Sequence, residues 1–159
     1  MPTNTQRFFG VLASIGITIG GAWLASTLHS QATHSALTSF PNGLSADFKN
    51  IRNSIGNIVV LVFSERNAYQ AYDATKAVAY REVAAKAGEL NVSFPDLKKG
   101  PYAIVAFHDE DKNQDLNMNG EWPTEGYATS GAIDAFDIPT FAKASVTQET
   151  TTIIMHYAD

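Results

Sequence analysis

The stretch Tyr102-Ala-Ile-Val-Ala-Phe-His108, which runs directly into Asp109-Glu-Asp-Lys-Asn-Gln-Asp-Leu-Asn-Met-Asn119, decides how the chain folds and where its chemistry sits. In an extended chain successive side chains point to opposite faces. Tyr102, Ile104 and Ala106 fall on one face and Ala103, Val105 and Phe107 on the other, so both faces are apolar. A strand of this kind is covered on both sides and belongs in the middle of its sheet. Its end hands the chain to the most polar loop of the sequence.

On either side lie short alternating apolar runs, which predict strands at 44–48, 58–63, 78–83, 90–94, 102–108, 141–146 and 150–157. Gly56-Asn57, residues 86–88, Lys99-Gly100-Pro101 and Gln148-Glu149 interrupt them where turns belong. Thr150-Thr-Thr is strand-forming composition. The best helical candidate is 67–77, where Tyr69 and Tyr72 fall three apart, and it reads as a short insertion whose aromatics pack back onto the sheets. The expected fold is all-β: a seven-stranded antiparallel β-sandwich, immunoglobulin-like or transthyretin-like, over residues 44–159.

Composition bounds what the domain does. A chain of 159 residues with 45% hydrophobic content supports one core. The formal net charge is −5, and since Arg7 is the only charge before Asp47, the remainder carries −6. Such a surface gives phosphate backbones nothing to bind, so nucleic acid is not an expected partner. With no cysteine there is no disulfide, thiolate metal site or thiol nucleophile, and metal chemistry is left to oxygen and imidazole.

The N-terminus predicts export. Arg7 precedes an apolar segment, residues 8–28, and no Asp, Glu, Lys or Arg follows until Asp47. As a helix this segment is roughly 31 Å long, enough for a hydrocarbon core of about 30 Å. The positive charge in front of it keeps that end cytoplasmic. Two fates stay open for residues 1–32. Ser30-Gln31-Ala32 is a small-residue cleavage site, which would make the segment a signal peptide and release a periplasmic or secreted protein. Alternatively the length, Trp23 near the outer interface, and the spacings Gly16-x-x-x-Gly20 and Gly21-x-x-x-Ala25 suit a retained transmembrane helix that packs on those of a larger complex. Residues 33–43 read as a polar linker.

In the loop, Asp109, Asp111, Asn113, Asp115, Asn117 and Asn119 place an oxygen at every second residue, a pattern that turns hard ligands onto one Ca²⁺. An EF-hand is excluded, because starting at Asp115 puts Gly126 at the twelfth position and starting at Asp109 puts Gln114 where glycine belongs. A noncanonical calcium loop between strands remains, closed by Glu125 or Glu121. The competing reading is a solvated turn, since Asp and Asn also cap turns and tolerate left-handed backbone. No organic cofactor is expected.

No catalytic residues are expected. Ser130-Gly131 lacks the surroundings of a nucleophile elbow. The loop carboxylates include no evident glycosidase pair, and Trp122, Tyr127 and Phe136 read as hairpin packing rather than a sugar cleft. His108 with Met118, and Met155 with His156, have soft-metal character, but alternation puts Met155 and His156 on opposite faces.

Five segments taken together carry a family resemblance: Gly56-Asn-Ile-Val-Val-Leu-Val-Phe63, Lys99-Gly-Pro-Tyr-Ala-Ile-Val-Ala-Phe-His-Asp109, the Asp/Asn loop, Trp122-Pro-Thr-Glu-Gly-Tyr127, and Pro139-Thr-Phe-Ala-Lys-Ala144. Over residues 56–157 the chain resembles the bacterial secreted proteins grouped as domain of unknown function 2141. The resemblance implies an export signal followed by one β-sandwich, and no activity. The sequence departs from the family's pattern at Gly120-Glu-Trp-Pro and in its membrane-like N-terminal segment. Two functions are therefore expected to compete: an anchored accessory subunit or binding module on the periplasmic side of the inner membrane, and a cleaved, soluble calcium-binding protein.

Overall fold

The computed structural model describes residues 39–158. The apolar segment with Gly16, Gly20, Gly21 and Ala25, the Ser30 to Ala32 site and most of the linker lie outside the described residues. Among those described, no helix is long and apolar enough to cross a membrane.

The fold is all-β, with few helical turns. In chain order come β1 (Leu44–Ile51), β2 (Asn57–Phe63), α1 (Arg66–Gln70), β3 (Ala79–Ala84), β4 (Gly88–Phe94), β5 (Ala103–Asp109), β6 (Met118–Asn119), β7 (Trp122–Pro123), β8 (Gly126–Thr129), α2 (Phe141–Ala144) and β9 (Thr150–Ile154). They form a three-stranded sheet β4-β1-β9, a four-stranded sheet β3-β2-β5-β8, and a small ribbon β6-β7. The ladders are antiparallel with one exception. β9 runs parallel to β1, Ser45 opposite Thr150 through Lys49 opposite Ile154, which corrects the all-antiparallel expectation. Alternation fixes which face a side chain takes but not the direction of the neighbouring strand.

One hydrophobic cluster joins the two larger sheets: Phe48, Val92, Phe94 and Ile153 from the first, with Ile58, Val60, Ile104 and Ala106 from the second. A second cluster lies on the other side of the four-stranded sheet, where Leu61, Phe63, Ala103 and Val105 pack under Ala68, Tyr69, Phe141 and Ala144 of the two helical segments. The two apolar faces of β5 are thereby accounted for. Tyr69 is buried, edge-on to Phe63 and Phe141, and its hydroxyl donates to the Pro139 carbonyl at 2.8 Å, so the insertion does pack back on the sheet.

Residues 141–146, read as a strand, instead form α2 after a Thr140 N-cap whose Oγ1 accepts from the Lys143 N–H. Phe141 and Ala144, three apart, are buried while Ala142 and Lys143 are exposed, a helical rather than a strand period. β5 pairs with β2 on one side and on the other with β8, which the sequence reading missed: Val105 pairs with Thr129 and His108 with Gly126. It is only four residues long and begins with a glycine forced by packing, because a Cβ on Gly126 would overlap the Tyr157 ring.

Gly56, in the β1–β2 turn, has φ +72 and lies against the backbone of Asp109 and Glu110, whereas Gly88 has φ +88 with open space where its Cβ would be. Gly88→Ala is expected to cost about 1 kcal/mol for the left-handed backbone alone. Gly56→Ala adds a backbone collision and is expected to cost roughly 1–3 kcal/mol more. Urea denaturation of the two variants measures the difference.

Candidate functional site

Asp109 is the last residue of β5, buried, and paired in register with Asn57. Beyond it the backbone turns left-handed at Lys112 (φ 62) and Gln114 (φ 65). These turns aim backbone donors inward: the Asn113 N–H donates to Asp109 Oδ1 and the Gln114 N–H to Asp109 Oδ2, both at 3.0 Å. Asp111 Oδ2 accepts from the Asn113 and Asn117 amides at 3.1 and 2.9 Å. Glu125, buried just before β8, joins the two limbs of the loop, since Oε1 accepts from the Glu110 N–H at 2.7 Å and Oε2 from the Asn117 N–H at 3.0 Å.

The result is that Asp109, Asp111 and Glu125 each present a carboxylate oxygen, all within 4.8 Å of one another. Of the other candidate ligands, Asn113 and Asn117 stand beside Asp111, and Asn113 Oδ1 accepts from the Asp115 N–H at 2.7 Å. Asp115 itself faces a neighbouring cleft, and Asn119 is exposed on β6, in register with Trp122. Glu121 also lines that cleft, so Glu125 is the residue that closes the cluster. Among the described residues no Lys or Arg forms an ion pair with Asp109, Asp111 or Glu125. Burial pushes the Asp109 and Glu125 carboxyls above the usual carboxylate range; the backbone donors pull them back, and the charge of Asp111 raises both further. A divalent cation would relieve the same strain by supplying the missing positive charge, and each carboxylate oxygen bonded to one N–H still has a lone pair to offer.

The base of the loop is clamped. Glu110 receives Arg52 through two bonds, Nε to Oε1 at 2.8 Å and Nη2 to Oε2 at 2.5 Å, and Asn53 Nδ2 at 2.6 Å. The Arg52 guanidinium also lies 4.7 Å from the Tyr157 ring centre. His108, fully buried, has Nε2 2.7 Å from the Ile55 carbonyl and Nδ1 2.9 Å from the Tyr157 hydroxyl. A carbonyl only accepts, so Nε2 carries a proton and donates it to Ile55, while Nδ1 is occupied by the Tyr157 hydroxyl. With both nitrogens engaged, His108 does not join the exposed Met118 in a soft-metal site. Ser130 is likewise committed: its Oγ donates to the Ala144 carbonyl at 2.6 Å and accepts from the Ile104 N–H at 2.9 Å.

Beside the carboxylates, over β5 and β8, opens a cleft of about 420 Å³. Residues 115–118, Glu121 to Pro123 of the β6–β7 ribbon, Tyr72, and Ala135, Phe136 and Ile138 make its walls. Trp122 and Phe136 stand edge to face at 5.7 Å and 90°, yet are 55% and 74% exposed, so hairpin packing does not describe them. Tyr127 lines the floor and donates its hydroxyl to the Ala135 carbonyl. The signal in the sequence was large apolar residues set among Asp, Glu, Gly and Pro, where turns do not require them.

A family model described as "Uncharacterized protein conserved in bacteria (DUF2141)" matches residues 47–155. The chain belongs to this family. Comparison with curated proteins and with solved structures gave no significant match. The matched region of this DUF2141 chain takes in β1 from Asp47 on and so begins before residue 56, and it contains the carboxylate cluster and the cleft walls entire. Membership brings no activity with it, so the chemistry has to come from the site.

The shifted carboxyls give this DUF2141 chain a signed pH dependence. For Asp109 and Glu125, raised in the folded state, the stability contributed is fully present below the ordinary carboxylate pKa and is lost as pH rises through the folded values. Glu110, held low chiefly by its Arg52 hydrogen bonds, contributes stability that is present above that pKa and lost as pH falls. In chelator, urea denaturation from about pH 4 to 7 is expected to show a decline toward neutral pH that Asp109→Asn with Glu125→Gln flattens. Arg52→Met is expected to weaken the loss on the acid side.

Proposed function

We propose that this chain is a non-enzymatic binding module or accessory subunit, presented on the periplasmic side of the bacterial inner membrane by residues 8–28, and that it receives a ligand in the cleft beside the acidic loop. Its domain, residues 44–159, is a β-sandwich of immunoglobulin-like or transthyretin-like kind. The cleft carries the reading: about 420 Å³ lies within the roughly 300–1,000 Å³ of small-ligand sites, and its walls leave Trp122 and Phe136 exposed. Large apolar side chains gathered on one surface commonly mark a binding site. A non-enzymatic role is supported by the employment of the reactive groups nearby, since His108, Ser130, Asp109 and Glu125 all hold backbone or side-chain partners.

The full chain has two tryptophans, Trp23 and Trp122, so 5-fluorotryptophan labelling gives two resonances that Trp122→Phe assigns. In lipid nanodiscs, 4-phenylbutanol, a neutral apolar probe, is expected to shift the Trp122 resonance saturably. Phe136→Ala is expected to weaken it about 3- to 10-fold, the value of one aromatic contact. No saturable shift at Trp122 refutes the module. Mass spectrometry of the N-terminus from isolated membranes tests the anchor, and chains starting only at Thr33 would replace it with a soluble periplasmic or secreted protein.

The three converging carboxylates favour a second reading compatible with the first, in which the loop takes Ca²⁺ through Asp109, Asp111 and Glu125 with the Asn113 and Asn117 amide oxygens. Calcium at 100-fold above its Kd is then expected to stabilise the fold by about 2.7 kcal/mol over chelator, with Glu125→Gln abolishing the gain. Equal thermal melting in calcium and chelator removes this reading.

A further inference from the structure

We propose that the cleft selects an organic cation: an alkylated or quaternary ammonium group carried on an apolar body. This rests on the binding-module reading and adds the class of ligand. Four aromatic side chains line the cleft, Tyr72, Trp122, Tyr127 and Phe136, and the Trp122 and Phe136 rings meet edge to face at 90° while both stay largely exposed. The face of an aromatic ring is electronegative and attracts a cation, and rings set at angles around one space are the arrangement that holds a quaternary ammonium. The charged side chains of the lining are Asp115 and Glu121, both acidic, and no Lys, Arg or His lines the cleft. An anionic ligand would meet repulsion from both carboxylates and no compensating positive charge in the lining. A bare small ammonium would leave much of about 420 Å³ empty, so the occupant also carries apolar bulk to cover Leu116, Ala135 and Ile138.

The test compares three probes with one apolar body and different heads: 4-phenylbutyl-trimethylammonium, 4-phenylbutanol and 4-phenylbutyrate. Affinities are read from the Trp122 fluorine resonance of the full chain in nanodiscs, with empty nanodiscs correcting for probe taken up by lipid. The ammonium is expected to bind about 10-fold more tightly than the alcohol, roughly 1.4 kcal/mol, and the carboxylate most weakly. Glu121→Gln, on an exposed side chain, is expected to reduce the ammonium's affinity several-fold and leave the alcohol's unchanged. Asp96→Asn, also exposed but outside the lining, controls for net charge and is expected to change neither. Equal binding of ammonium and alcohol, or an equal effect of Asp96→Asn and Glu121→Gln, overturns the cation preference while the binding module stands. Silence of the Trp122 resonance to all three probes overturns both.

Discussion

Because Ala103–Asp109 is buried on both faces, none of its backbone polar groups can turn to water, and each has to be paired by a neighbouring strand. β2 pairs along its whole length and β8 along part of it. Ile104 and Ala106 fix the three-stranded sheet on one side, while Ala103 and Val105 fix the two helical segments on the other. A slip of one residue would exchange these two sets, putting side chains suited to one cluster into the other. The register of β5 is therefore held from four directions. Its end, Asp109, is fixed by that register, and the loop that follows is built on it.

How much of this was legible in the sequence depended on whether the relevant signal was local. Of the seven strands read from alternation, six, including β5 with its two apolar faces, are strands, and residues 141–146 are not. The acidic loop was legible by spacing, and Glu125 was among its candidate ligands. Direction of pairing was not legible, since β9 looks the same beside β1 whether parallel or antiparallel. β8 was hidden because Gly126 begins it for a tertiary reason, the Tyr157 ring, and four residues give too little alternation to outweigh a glycine. In residues 141–146 a short helical turn and a short strand both fit the apolar positions, and the Thr140 cap with the Phe141 and Ala144 pair decided for the helix. The cleft was illegible for a similar reason: nothing local says that Trp122 and Phe136, fourteen positions apart, leave their outer surfaces uncovered.

The carboxylate cluster and the cleft are two faces of one loop, and this follows from Glu125. Its Oε2 holds the Asn117 N–H, and residues 115–118 are both the far limb of the carboxylate loop and a wall of the cleft. Its Oε1 holds the Glu110 N–H, on the limb that Arg52, Asn53 and Gly56 fasten to the β1–β2 turn. Glu125 thus spans from the most firmly held part of the loop to the part that shapes the cleft. A carboxylate buried in that position, raised toward protonation by burial and by Asp109 and Asp111, exchanges strength with charge: the ionised form makes the stronger hydrogen bonds to both limbs, yet it is the form that burial opposes. Positive charge brought to the cluster would favour the ionised form and with it both bonds, stiffening the wall that carries Asp115 and Leu116. The carboxylate cluster and the wall of the cleft are in this way joined through the two oxygens of one side chain.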